Sequence, residues 1–304
     1  MRNVSAPAGS GAATHPTLPY LILAGGVLAT SFSSIMTKGT AAPPTIIAFW
    51  RLSLTVLMLL VPLLLRQREA LGTISRRDWL LTLTSGIALS AHFYFWNTSL
   101  GLTSVAASTV LVDMHPFIVL TAGHFIFGER LRPWGMIGAL LAVAGAVVIG
   151  VADARGGGSQ ALRGDIYAVL GAITVACYFL IGRSVRQRVE LLPYTVTVYT
   201  MASAVLLATA LLTHTVVAAY PARTWWLFAG LALIPTVFGH TVFSWVLRYV
   251  RAGTVSLAIL GEPVGAGILA WLIFDQRPGI LTYLGAVLIL GGIGVFITNV
   301  RDAR

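Results

Sequence analysis

The sequence predicts an all-α integral membrane protein of ten transmembrane helices, arranged as two inverted five-helix repeats. Three observations lead there. The chain is 57% hydrophobic and only 10% charged, where a soluble domain carries about 25% charged residues. Ten apolar runs of 18–24 residues follow one another, and a bilayer core needs about 20 residues per helix. A shift of 147 residues lays Ala106–Gly150 over Gly253–Ile297 without a gap.

With a mean hydropathy of +0.86, the chain has too few charges to cover a water-facing surface. Soluble enzymes, nucleic-acid binders and disordered proteins are excluded on that ground. The net charge of +10 then marks topology rather than a nucleic-acid partner. Cys177 is the single cysteine and lies inside an apolar run, so no intrachain disulfide forms. No Cys/His spacing indicates a metal, and no cofactor is expected. Residues 1–17 are rich in Ala, Gly, Ser and Pro and are expected to form a disordered tail. Tail and first run do not make a signal peptide, because Lys38 stands where a small-residue cleavage site would fall.

The spans follow in order. The first, 18–37, begins near Tyr20 and ends before Lys38, and the second, 46–65, carries Arg51 as its sixth residue. The third, 79–100, starts at Trp79 and holds the run His92-Phe93-Tyr94-Phe95-Trp96. The fourth, 104–127, contains Asp113, His115, Pro116 and His124. The fifth, 134–151, has a row of small residues, Gly138, Ala142, Ala146 and Gly150, that reads as close helix packing within the chain or in a dimer. Gly156-Gly157-Gly158 then form a flexible linker. The sixth, 164–182, and seventh, 194–213, carry Tyr178 and Tyr199, and His214 lies just beyond. The eighth, 225–247, holds His240, Phe243 and Trp245; the ninth, 252–274, holds Glu262 and Pro263; the tenth, 281–299, holds Gly285 and Gly292. Long unbroken runs point to helices, since barrel strands are short and alternate. Together the spans take about two thirds of the chain, leaving no room for a separate soluble domain.

Loop charges orient the bundle. With the N-terminus in the cytoplasm, 14 Arg residues fall inside and five Lys or Arg outside: Lys38, Arg155, Arg163, Arg223 and Arg277. That bias puts both termini in the cytoplasm.

Nine of the 45 positions matched by the shift are identical, among them Pro116/Pro263, Arg130/Arg277, Gly138/Gly285 and Gly145/Gly292. The division that follows is a tail 1–17, a first repeat 18–151, a linker 152–163, a second repeat 164–299 and a tail 300–304. Five helices per repeat is an odd number, so the second copy crosses the membrane in the opposite sense. Inverted repeats of this kind build many secondary transporters, with the site near the midplane between them.

Several short motifs sit in matching order: Phe49-Trp50-Arg51, Thr103-Ser104-Val105-Ala106, Pro116, Gly128-Glu129-Arg130-Leu131, Gly138 and Gly145. In these the halves resemble the drug/metabolite transporter superfamily, specifically EamA-type transporters. The second copy keeps Pro263 and Gly285 but has Asp275-Gln276 in place of Gly-Glu. The resemblance implies a ten-helix exporter or permease for small metabolites in a bacterial inner (plasma) membrane.

Charge at bilayer depth is costly, so intramembrane polar residues are functional candidates. His115 and Glu262 coincide under the shift, and each precedes its proline. Each proline removes an amide donor and leaves the Val112 and Ile259 carbonyls without helical partners. Segments 112–116 and 259–263 are therefore the expected substrate site, with Pro116 and Pro263 as helix breaks or hinges. Glu262 and His115 either bind substrate or a coupling proton, or lock two helices as a hydrogen-bonded pair. Asp113 either belongs to the substrate-binding or coupling site, or faces a neighbouring helix and pairs with Arg51, His92 or His240. Arg51 either snorkels to the interface, gates the outer mouth, forms a structural ion pair, or holds a substrate carboxylate. His92 is a further candidate for substrate binding or coupling, and Tyr94, Trp96 and His240 are candidate walls of the cavity.

The expected function is export of amino acids or related compounds by alternating access, with the proton as candidate coupling ion. The chain acts as a monomer or homodimer, and its partners are a small-molecule substrate and the lipid bilayer. A rival reading is an importer or exchanger of nucleotide-linked or phosphorylated sugars. It is disfavoured because Arg51 is the only cation well inside a span. A remote rival is an integral membrane enzyme with Asp113, His92 and His240 as acid/base groups, but no nucleophile accompanies them. No catalytic residue and no Walker motif is recognised.

Overall fold

A computed structural model describes residues 17–103, 108, 111–128, 132–153, 160–274 and 279–299. Among these residues the chain is helical between short turns, with no strand. Segments Glu129–Leu131, Ser104–Ala106, Gly156–Gly158, Asp275–Arg277 and both tails lie outside them.

α1 (Leu18–Thr30) stops at Ser31 and the chain continues as α2 (Phe32–Lys38). α3 (Pro44–Arg66) is followed by the short α4 (Arg68–Gly72). α5 (Arg76–Leu102) starts at Ser75, whose side chain accepts from the Asp78 amide, an N-cap that satisfies an otherwise orphan donor. α6 (His115–Phe127) has Pro116 in its first turn and ends at Gly128, whose φ of 66° only glycine adopts without strain. α7 (Pro133–Asp153), α8 (Ala161–Val185) and α9 (Leu191–Leu212) follow. α10 (Ala222–Leu231) runs into a π-helical segment, Ala232–His240, and then α11 (Thr241–Val246). α12 (Ala252–Ile259), α13 (Glu262–Phe274) and α14 (Ile280–Asn299) complete the described chain.

Seven stretches among the described residues are long and apolar enough to cross a membrane: 18–37, 44–66, 161–185, 191–212, 222–246, 252–273 and 280–299. The other apolar helices, His115–Phe127 and Pro133–Val148, are shorter. α5 has ample length, but Ser, Thr, Asn97 and His92 dilute its apolar character. The outer surface is apolar: Leu65, Phe125, Leu212 and Ile280 are each at least 78% exposed. Arg51, Thr55, Asp113, His115 and Thr236 are buried inside. A water-soluble monomer would not expose such a belt. The chain is a multi-pass membrane protein.

The closest helix contact joins α7 to α14. A Cβ added at Gly138 would come within 2.7 Å of the Gly292 carbonyl oxygen, and one at Gly145 within 2.5 Å of the Gly285 carbonyl oxygen. The pairing 138 with 292 and 145 with 285 makes the two helices antiparallel. The 147-residue shift exchanges these two pairs. The small-residue row thus packs within one chain, where the absence of side chains lets backbones touch. Elsewhere α5 lies along α8, α1 along the π segment, and α3 along α9.

This contact yields a test. Gly292→Ala would drive a methyl into the backbone of Ala142 at 2.5 Å, and overpacking costs about 1–3 kcal/mol or more where backbone must move. Adjacent Gly291 has nothing within 4 Å. Thermal melts in detergent should show Gly292→Ala and Gly145→Ala clearly destabilised, and Gly291→Ala equal to or above the parent. Equal melting of Gly291→Ala and Gly292→Ala would remove the packing account.

Candidate functional site

Four interruptions of regular helix meet inside the bundle. One is Ser31, between α1 and α2. A second is the turn Asp113–Met114, which separates Leu111–Val112 from α6. The third is the π segment with Pro235 inside it. The fourth is Leu260–Gly261, between α12 and α13. The second and fourth coincide under the 147-residue shift. The fourth and ninth spans are thus not continuous helices kinked at proline. Each stops two residues before His115 or Glu262 and restarts with Pro116 or Pro263 in its first turn, where a missing amide costs nothing. The Val112 carbonyl left over by the break is bonded by His115 Nδ1 at 3.0 Å.

Arg51 sits among these breaks and is 3% exposed, so it does not snorkel. Its Nε donates to Thr236 Oγ1 at 2.6 Å and its Nη1 to Ser33 Oγ at 2.9 Å. The guanidinium lies over the Phe93 ring, 4.8 Å from the centroid. Nη2 is buried without a partner. Both hydrogen-bonded partners are neutral hydroxyls at helix interruptions, Ser33 in the first turn of α2 and Thr236 in the π segment. Thr236 Oγ1 in turn donates to the Leu231 carbonyl at 2.7 Å, filling the gap that the π turn opens. Thr55 Oγ1 reaches the Ala232 carbonyl at 3.2 Å, a second tie from α3 to that segment.

The acids lie nearby. Glu262 opens α13 and acts electrostatically on both Arg51 and Asp113. Ser31 Oγ donates to the Glu262 carbonyl at 3.2 Å, and the Thr30 side chain lies beside its carboxyl. Asp113 is buried, and its Oδ2 has no partner. Among the described residues Asp113 makes no hydrogen bond to Arg51, His92 or His240; its charged neighbour is Glu262. His115 does not bond Glu262: Nδ1 goes to Val112, Nε2 is unpartnered, and the ring stacks on Phe179 at 5.9 Å. The freed Val112 carbonyl, three residues back, captures the ring first.

His92 bonds the Gly171 carbonyl through Nδ1 at 3.0 Å and lies parallel to Trp96, centroids 6.1 Å apart. His240 closes the π segment against Phe93 at 5.6 Å, with Nδ1 unpartnered. Tyr94 and Trp96 are half-buried, while Phe95 stacks on Tyr167. Behind this wall, buried hydroxyls pair as Tyr199 with Thr241, Tyr178 with Ser244, and Tyr194 with Ser85, at 2.8–3.1 Å. Among the described residues no group of three or more His, Cys, Asp or Glu is arranged for a metal ion.

The EamA-like transporter family model matches residues 17–151 and 162–298. The chain belongs to this family. It is 27% identical over 225 residues to the probable amino-acid metabolite efflux pump of Escherichia coli, covering 69% of this chain and 72% of that one. It is 25% identical to the aromatic amino acid exporter YddG of Ancylobacter novellus, covering 73% and 77%. An uncharacterized transporter of Bacillus subtilis, YxxF, is 25% identical over 74% of this chain and 72% of its own. One solved crystal structure superposes with a TM-score of 0.81 at 19% identity, covering 95% of this chain and all of that one. Family and relatives' names indicate a transporter rather than an enzyme.

Within this EamA-type transporter, sequence reading missed Ser33, Thr236 and Thr30. A cluster of Ser and Thr at 30–34 inside an apolar span, and Thr directly after Pro235, were the available signals.

The arginine-rich end of the transporter holds a cavity of about 480 Å³ lined by Phe127, Gly128, Arg183, Ser184, Gln187, Arg188 and Arg251. Beside it Arg188 grips Asp78 with Nη2 to Oδ1 at 2.6 Å and Nε to both oxygens at 3.1 and 3.3 Å. Arg183 donates to the Leu247 carbonyl at 2.9 Å. Buried Arg186 donates through Nε to the Ser244 carbonyl at 2.9 Å. These bonds join the ends of α5, α8 and α11. The Arg188 guanidinium holds the Asp78 carboxyl below its usual range. A depressed folded pKa means stabilisation that is present above about pH 4, the unfolded value, and lost as pH falls through the folded one. Asp78→Asn should therefore melt below the parent at pH 7, and the gap should close on acidification towards pH 3. Melting curves that keep a constant gap across that range would rule out the ion pair as its cause.

Proposed function

We propose that the chain is a ten-helix secondary transporter made of inverted repeats 18–151 and 164–299, joined by 152–163. In this reading it exports amino acids or related amphipathic metabolites across a bacterial inner membrane, with both termini cytoplasmic. The gapless 147-residue match supports the repeats, as does the antiparallel α7/α14 contact whose glycine pairs that shift exchanges. The packing of α5 on α8 has its counterpart in α1 on the π segment, as a twofold axis in the membrane plane requires.

The observation that carries the substrate class is the Arg51 guanidinium. It is buried, touches no carboxylate among the described residues, and keeps one nitrogen unpartnered. Burying an unpaired charge costs several kcal/mol, so the arrangement suits a site completed by an anionic ligand group. A substrate carboxylate on Arg51 and its ammonium near Glu262 and Asp113 match a zwitterion in charge. His92, Phe93 and Trp96 supply an aromatic wall for the side chain. Two acids beside one arginine speak against a multiply anionic sugar phosphate. Glu262 and His115 are the groups through which a proton gradient would drive the cycle, with Pro116 and Pro263 as hinges. The names of the relatives, an amino-acid metabolite efflux pump and an aromatic amino acid exporter, agree with this class.

The test is efflux from proteoliposomes preloaded with twenty labelled amino acids, with and without an imposed pH gradient. A subset should leave, faster with external acid. Arg51→Gln and Glu262→Gln should cut efflux about tenfold or more, the worth of a charge-assisted hydrogen bond, and His115→Ala should alter its pH dependence. Failure of every amino acid with folded protein would overturn the substrate class. Unchanged rates in Arg51→Gln and Glu262→Gln would overturn the site.

A further inference from the structure

Resting on the amino-acid reading, we infer that Ser33 is a displaceable occupant of the substrate's place on Arg51, while Thr236 is the positioning residue that aims the guanidinium. A carboxylate binds arginine best through two adjacent nitrogens. Nη2 is unpartnered, and a bidentate contact there adds one of its two neighbours, Nη1, which holds Ser33, or Nε, which holds Thr236. Thr236 is the tighter of the two, 2.6 Å against 2.9 Å, and its hydroxyl hydrogen is committed to the Leu231 carbonyl. That commitment leaves its lone pairs facing Arg51 and ties it to the π segment. Ser33 instead sits on the seven-residue α2, two positions past the break at Ser31. Exchange at Ser33 therefore disturbs less structure.

The step is a hydrogen-bond exchange: Nη1–H leaves Ser33 Oγ for a carboxylate oxygen, and Nη2–H takes the other. It frees α2, which packs against α10 and α13 and is otherwise tied to the latter through Ser31 and the Glu262 carbonyl. Substrate binding at Arg51 would thus loosen the far half of the first span. This links occupancy to movement without any added contact.

The two hydroxyls then have opposite effects. Removing Ser33 strips a competitor from the empty site, and removing Thr236 misaims the guanidinium. The experiment measures half-saturating concentrations for efflux of each amino acid that the parent transports, and for the corresponding amides, which lack the carboxylate. Ser33→Ala should lower the value about tenfold for the acids and leave the amides unchanged. Thr236→Val should raise it about tenfold, and Thr236→Ser, which restores the hydroxyl, should return it to the parent value. Shifts of the same sign, no shift, reversed signs, or an equal gain for the amides would overturn the inference. Thr236→Ser and Ser33→Thr guard against misfolding as the cause. Absence of transport by the parent would instead fail the amino-acid reading beneath it.

Discussion

A guanidinium buried in an apolar bundle is the constraint around which the interior is organised. Arg51 must find acceptors where lipid and packed side chains offer none. It finds them beside interruptions of the helices: Ser33 in the first turn of α2, just past the break at Ser31, and Thr236 inside a π turn. Regular helices bury their carbonyls in their own ladders, so such acceptors come from hydroxyls where the ladder is interrupted. The Phe93 face covers the cation. Arg51 and the interruptions therefore stabilise one another, and Glu262 adds long-range attraction without contact.

Irregular backbone at this depth also explains the paired breaks. At Asp113–Met114 and Leu260–Gly261 the amides of Met114, Leu260 and Gly261 bond carbonyls three rather than four residues back, irregular backbone that at this depth suits a protein-lined or wet interior. Each break places an ionisable residue, His115 or Glu262, at the start of a fresh helix. Asp113 and Glu262 thus come within electrostatic reach of one another and of the helix starts, whose dipoles favour negative charge. The same geometry that ends a helix gathers the chemistry.

The remainder of the bundle is held by different means. Between α7 and α14 glycine lets backbones meet, because lipid provides no hydrophobic drive for helix association and close dispersion contact must supply it. At the arginine-rich end, Arg183, Arg186 and Arg188 bind carbonyls or Asp78.

Much of this was legible in the residues alone. Apolar runs mark helices because bilayer thickness demands a fixed length, and Pro116 and Pro263 mark breaks because proline lacks an amide hydrogen. The 147-residue match tied His115 to Glu262 as equivalent positions, and the small-residue row Gly138, Ala142, Ala146 and Gly150 announced close helix packing. Their partners were not legible. Equivalent positions need not touch, and the Val112 carbonyl took the His115 ring that the match had directed towards Glu262. Ser33 and Thr236 were invisible as ligands of Arg51, since most membrane serines and threonines bond their own helix, as Thr55 and Thr82 do here. The sequence by itself determined the class, seven spanning apolar stretches and the charged residues that must be buried. Only the tertiary structure decided which acceptors meet Arg51, because those contacts join residues as far as 185 positions apart and depend on where helices break.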